Sequence, residues 1–195
     1  MVFVLLGLAG GAWAQATAEP DYTLSYNVGA VTDYRYRGIS QSRLKPALQG
    51  GADFAHKSGV YLGTWASTIK WIKDAGGDAP VELDLYGGYK GSAGAVGYDL
   101  GVLRYQYPSH DLAISPNTTE LYAAATFGLA TLKYSHSVTN LFGFADSKGS
   151  GYLDLSAGFD LDNCLSVTPH IGYQRVKNNS AFSYTDYSIA LGKDY

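Results

Sequence analysis

The chain has 195 residues and a formal net charge of −3, which suits one unit and would cramp two. The acidic balance and the lack of any Lys/Arg run exclude a nucleic-acid partner, which requires a basic surface to displace counterions from phosphates. Cys164 is the single thiol, so neither an internal disulfide nor a thiolate zinc centre is available.

The first element in chain order is an apolar stretch from Val2 to Ala12, followed by Ala12-Trp13-Ala14. Its small-x-small end has the form of a secretory leader, with cleavage expected after Ala14 or Ala16. A membrane-anchoring helix is the alternative, but about 20 apolar residues are needed to span a bilayer and this run is shorter. No Lys or Arg precedes the stretch, which suggests a natural start further upstream. No later apolar run reaches helical spanning length, so a membrane-seated mature chain would have to cross with strands.

Strands are what the remaining pattern predicts, because successive side chains of a strand point to opposite faces. From Tyr22 to Gly38 the even positions Tyr22, Leu24, Tyr26, Val28, Ala30, Thr32, Tyr34 and Tyr36 oppose a mostly polar odd face ending in Asp33, Arg35 and Arg37. Similar segments follow at Ala47–Ala55, Val60–Thr68, Val81–Lys90, Ala95–Tyr107, Thr118–Gly128, Ala130–Ser137, Tyr152–Phe159, Leu165–Val176 and Tyr184–Gly192. About ten strands are expected. The 24 Gly and 17 Tyr fit that reading: glycine lets strands coil, and tyrosine suits a membrane–water boundary.

The connections alternate between tight and long. Tight ones fall at Lys57–Gly59, Gly91–Gly94, Gly128–Leu129 and Asp160–Cys164, and long ones at Ile39–Pro46, Ile69–Pro80, Pro108–Asn117, Val138–Gly151 and Lys177–Ser183. An outer-membrane barrel has this asymmetry, with short periplasmic turns and longer external loops, whereas a soluble sandwich has no reason for it. The expectation is an all-β, up-and-down antiparallel transmembrane barrel over residues 15–195.

YNVGAVTDYRYRGISQS, from Tyr26 to Ser42, resembles the N-terminal signature of the TorF family of proteobacterial outer-membrane porins. GVYLGTWASTI (59–69), VELDLYGGY (81–89), YDLGVLRYQYP (98–108) and TELYAAATFG (119–128) are similar to further family segments in the same order. The resemblance implies a barrel with a channel role in the outer membrane and supplies no catalytic residues. Family members continue by one more hairpin, which implies about twelve strands in a complete barrel.

With the more apolar face toward lipid, the lumen is expected to hold Asp33, Arg35, Arg37, Gln49, Asp53, Glu82, Asp84, Lys90, Asp99, Glu120, Lys133, Asp154, Gln174 and Asp186. Charges enclosed in a narrow barrel must be paired or hydrated. They either plug the interior as a packed polar core or line a water path, and their excess of carboxylates predicts weak cation preference for any pore. Arg35 and Arg37 could form a cationic patch at the mouth, or pair with Asp53 or Glu82. Tyr34, Tyr36, Trp65, Trp71, Tyr105 and Tyr107 are expected to form an aromatic girdle at the external strand ends.

Enzymatic chemistry finds little support. His56, His110, His136 and His170 have no metal-ligand spacing, so no metal site and no cofactor is expected. His136 lies between Ser135 and Ser137, but adjacent strand residues point oppositely, which breaks the obvious dyad of a lipid-modifying enzyme. The function expected is passive diffusion of small hydrophilic solutes, with outer-membrane lipid as surroundings. A homo-oligomer is compatible with the sequence and not demanded by it. The rivals are a structural or adhesive barrel with a plugged lumen and partner-binding loops, and a soluble periplasmic barrel holding an apolar ligand.

Overall fold

A computed structural model describes residues 20–161 and 164–193; the leader and its cleavage site lie outside the described residues. Ten long strands carry the chain, one of them interrupted: β1 (Tyr22–Val31), β4 (Ala47–His56), β5 (Val60–Thr68), β6 (Val81–Ala93), β7 (Val96–Gln106), β8 (Thr118–Phe127), β9 (Ala130–Ser137), β10 (Gly151–Ala157) with β11 (Phe159–Leu161), β12 (Leu165–Arg175) and β13 (Tyr184–Lys193). Ser156 pairs with His170 and Phe159 with Val167, so β11 continues β10 in one register past Gly158. Between β1 and β4 sits a small hairpin, β2 (Arg35–Tyr36) and β3 (Ile39–Ser40). The one α-helix described, α1 (Trp71–Asp74), lies in the β5–β6 loop, and a 3₁₀ turn at Ser180–Phe182 precedes β13.

Each long strand pairs antiparallel with its sequence neighbour, a meander that hairpin connections permit without crossovers. β1 pairs only with β4 and β13 only with β12, so among the described residues no backbone pairing closes the sheet into a barrel.

The sheet is concave on its polar face. Glu120 of β8 and Gln174 of β12 lie three strand steps apart, about 14 Å across a flat sheet. Both accept from one nitrogen of Arg37, at 3.0 and 2.7 Å. Tyr61 of β5 and Tyr122 of β8 likewise meet hydroxyl to hydroxyl over the strands between them.

The registers set which residues share a face. Leu24 opposes Phe54, Trp65 opposes Asp84, Leu103 opposes Glu120 and Tyr152 opposes Gln174. Outward positions are apolar and exposed, from Val28 (63%) and Leu48 (66%) through Leu121 (52%) to Ile189 (72%) and Leu191 (73%). Inward positions include Glu82 (2%), Glu120 (1%) and Gln174 (3%). This inverts the polarity of a water-soluble domain, whose largest apolar patches cover roughly 300–600 Å².

The first strand departs from expectation. It stops at Val31, not Gly38, because the chain turns at Asp33. Ser40 and Ser42 donate to Asp33 Oδ1 at 2.5 and 3.1 Å, the Tyr34 amide donates to Ser42 Oγ at 3.0 Å, and the Gln41 amide donates to the Tyr34 carbonyl at 2.7 Å. Arg37 (φ 45°) and Gly38 (φ 78°) then form the two-residue turn that joins β2 to β3, with positive φ at both positions as a tight hairpin requires. A Cβ on Gly38 would lie 2.7 Å from that of Asp186 on β13, so the turn also needs glycine for close approach.

The long loops share one end of the sheet and are tied together. Lys70 and Trp71 amides donate to the Gln41 carbonyl, the Asp78 amide to His110, the Phe142 amide to Thr118 Oγ1, and Asn178 and Asn179 side chains to Asp146 and Ala145 carbonyls. Arg43 and Asp74 add an exposed ion pair. The apolar core is here and not between layers: Val31, Tyr34, Ala47, Ile69, Ile72, Ala79, Tyr105 and Tyr107 bury one another.

Candidate functional site: the polar interior and its hairpin

Arg37 is the centre of the interior. The β2–β3 turn carries it inward, where its guanidinium donates to both carboxylate oxygens of Glu120 at 3.0 and 2.7 Å and to Gln174 Oε1 at 2.7 Å. It also lies over the rings of Tyr152 and Tyr36, 4.1 and 4.8 Å from their centroids. Planar bidentate geometry plus ring stacking is what arginine offers and lysine does not. Arg35 pairs instead with Asp33 at 2.8 Å and remains half exposed. Neither arginine pairs with Asp53 or Glu82, and Arg37 cannot act as an open cationic patch because its side chain is only 7% exposed. Both expectations are corrected: in the β1–β4 register Asp53 opposes Ser25, ten residues before Arg35, and the β2–β3 turn carries Arg37 across to Glu120 instead.

The strand-borne candidates share the concave face. Glu82 accepts from Tyr34 and Tyr107 hydroxyls, each at 2.6 Å, and Asp53 accepts from Tyr86 at 2.6 Å. Asp99 accepts from Tyr61 at 2.5 Å with Lys90 Nζ 3.9 Å away. Lys133 lies 4.1 Å from the Tyr122 ring centroid, and Gln49 bonds Ser67 Oγ at 3.4 Å. Asp154 contacts His170 Nε2 at 2.6 Å, and Asp186 accepts from Tyr152 at 3.0 Å. Asp84 is buried and its Oδ1 has no hydrogen-bond partner.

Two groups in the loop that leads into the hairpin have shifted titration. Burial works against ionised Asp33, yet hydrogen bonds from Ser40 and Ser42 and the Arg35 guanidinium outweigh it and hold the carboxyl below its usual range. Burial, and then the Glu82 carboxylate beside it, push the Tyr34 hydroxyl far above its usual range, which keeps Tyr34 a donor.

The aromatic girdle is not where the sequence reading put it. Tyr34, Tyr105 and Tyr107 are buried in the loop-end core, and Tyr36, Trp65 and Trp71 pack against it. Tyr36 and Tyr105 join hydroxyls at 2.6 Å, Trp71 stands edge-on to Tyr107, and Tyr34 edge-on to Trp65. Parity exposes the error: Tyr105 and Tyr107 share odd numbering with Asp99 on the β7 line, and Trp65 opposes Asp84, so they belong to the carboxylate face. Tyr34 and Tyr36 lie past the end of β1, and Trp71 lies on α1.

The lumen lining expected from sequence omits the tyrosine donors Tyr61, Tyr86, Tyr122 and Tyr152, and His170. Tyr86 alternates with Glu82 and Asp84, and Tyr122 with Glu120, so the signal was available in the same spacing that placed the acids. His136 points outward while Ser135 and Ser137 are buried, the separation that strand geometry imposes.

Beneath the hairpin a cavity of about 880 Å³ is lined by Arg37, Lys133, Asp154, His170 and Asp186 among others. Above it, among the loops, lies a second of about 420 Å³ with aromatic and aliphatic side chains in most of its walls. The hairpin lies between a cavity with charged residues in its lining and one with mainly apolar walls, and Arg37 ties it to Glu120 and Gln174.

The model of a bacterial protein family of unknown function, Gcw_chp, matches residues 15–195. No curated protein and no solved structure matches the chain. The match covers nearly the whole sequence, and the chain belongs to that family.

Proposed function

We propose that this member of the Gcw_chp family is an outer-membrane β-barrel that works as a narrow channel for small hydrophilic solutes, gated by its own Arg35–Ser40 hairpin. The observation that carries the reading is polarity turned inside out: exposed Leu, Val, Ile and Tyr on the convex face, and carboxylates with their donors on the concave one. Lipid stabilises such an exterior and a closed cylinder would satisfy the free strand edges of β1 and β13. The resemblance of Tyr26–Ser42 to TorF-family porins and the placement of every long loop at one end agree with it.

The hairpin supports gating over a permanently open pore. It crosses the interior and is held by the Arg37–Glu120–Gln174 cluster. Carboxylates outnumber cations on the concave face, so the open path favours cations. A second reading, a permanently plugged barrel with adhesive loops, draws on the hydrogen bonds that tie the loops to one another.

Planar-bilayer recording separates the two. Wild-type protein is expected to show rare, brief openings. The double variant Arg37→Ala, Glu120→Gln, which removes the lock without stranding a charge, is expected to stay open and to give a cation-selective reversal potential in a salt gradient. No steps from either protein would overturn the channel in favour of the plug, and anion selectivity would overturn the assignment of the lining.

A further inference from the structure

We infer that the loop-end cavity is a binding site for a compact apolar molecule bearing an aromatic ring. Its volume of about 420 Å³ falls in the range of small-molecule sites, roughly 300–1,000 Å³. Tyr36, Trp71, Tyr107, Phe142, Phe144 and Phe182 supply ring faces and edges around it.

The polar atoms of the lining bear on the ligand class: hydrogen bonds inside the protein already engage most of them, and Trp71 Nε1, which has no partner among the described residues, is buried away from the open space. The Tyr36 hydroxyl is joined to Tyr105, the Tyr107 hydroxyl donates to Glu82, and Gln41 Nε2 donates to the Ile39 carbonyl. The Gln174 amide donates to Gly151 and Arg175 carbonyls and accepts from Arg37, and Ser183 Oγ accepts from the Val176 amide. A sugar or a charged solute entering here would give up its water with few partners in return, at a cost of roughly 1–3 kcal/mol for each unpaired polar group. A ring loses nothing and gains edge-to-face contacts with the walls. The charged solutes that suit the chamber below the hairpin are therefore excluded from the chamber above it.

The walls also link the site to the hairpin. Tyr36, Ile39 and Gln41 line the cavity and belong to the hairpin or the residue that follows it. An occupant thus packs directly on the segment that shuts the interior. Binding itself does not depend on the channel reading, since the cavity is present whether or not the barrel conducts.

The test uses 4-fluorotoluene as probe, followed by fluorine NMR with full-length protein in lipid nanodiscs and with protein-free nanodiscs as the partition baseline. Ala181→Trp fills the cavity from an exposed loop position, and Phe182→Ala removes one wall. Wild type is expected to show saturable binding above the baseline, at least tenfold weaker in Ala181→Trp and weaker in Phe182→Ala, with melting temperatures unchanged. Glucose in excess is expected not to displace the probe. Binding no greater than the baseline, or equal binding by wild type and correctly melting Ala181→Trp, would overturn the site whatever bilayer recordings give. Displacement by glucose would overturn the ligand class.

Discussion

Arg37 and Glu120 are 7% and 1% exposed in their side chains, so the energetics of the interior turn on that pair. Breaking a buried pair by removing one partner leaves the other charge desolvated and uncompensated, at a cost of about 3–5 kcal/mol. Arg37→Ala is therefore expected to lose that much stability in denaturant titrations in detergent, and adding Glu120→Gln to recover most of it. A loss under about 1 kcal/mol in the single variant would show that water reaches Glu120 freely. The same interior accounts for part of the tyrosine and glycine content. The Tyr86 ring lies over Gly63 on the adjoining strand and Tyr122 over Gly101, where any Cβ would collide with the ring. Inward tyrosines cover glycine backbone with the ring and serve a carboxylate with the hydroxyl.

Among the elements, the β2–β3 hairpin depends on one side chain at its base. Asp33 accepts from Ser40 and Ser42, and its carboxyl titrates below the ordinary value of 3.8. A group with a depressed folded pKa contributes stability that is fully present above its unfolded value and is lost as pH falls through the folded one. Amide shifts of Ser40 and Ser42 in detergent NMR are thus expected to hold constant from neutral pH down to about 5 and to move only below 3.8. A midpoint above that would mean that Asp33 does not anchor the turn. The strands themselves were legible from sequence almost residue by residue: Val60–Thr68 and Ala130–Ser137 agree at both ends. Alternation failed only where the chain left the sheet. Thr32 to Arg37 continues an alternating pattern, but local bonds from Ser40 and Ser42 compete with strand pairing and win.

At the scale of the whole molecule, the convex face defines what surrounds the protein. Single cysteines placed at Leu121 and Ala124 in a Cys164→Ser background sit on opposite faces of β8. In liposomes a fluorophore at residue 121 is expected to be quenched by lipid-chain nitroxides and one at residue 124 to be spared. Equal quenching, or recovery of the protein without detergent, would contradict a membrane-seated sheet.

What sequence alone determined is the run of strands and the face on which the strand-borne lining candidates lie. Both follow from a period of two that is written locally and needs no knowledge of the rest of the chain. Only the tertiary structure decided that the first loop folds into the interior, that Arg37 finds Glu120 and Gln174, and that the six aromatic residues gather in a core at the loop end instead of forming a girdle. Those partners lie 83 and 137 residues from Arg37. Separations of that length carry no periodic signal, and they are settled only when the sheet curls and burial forces each charge and hydroxyl to find a mate.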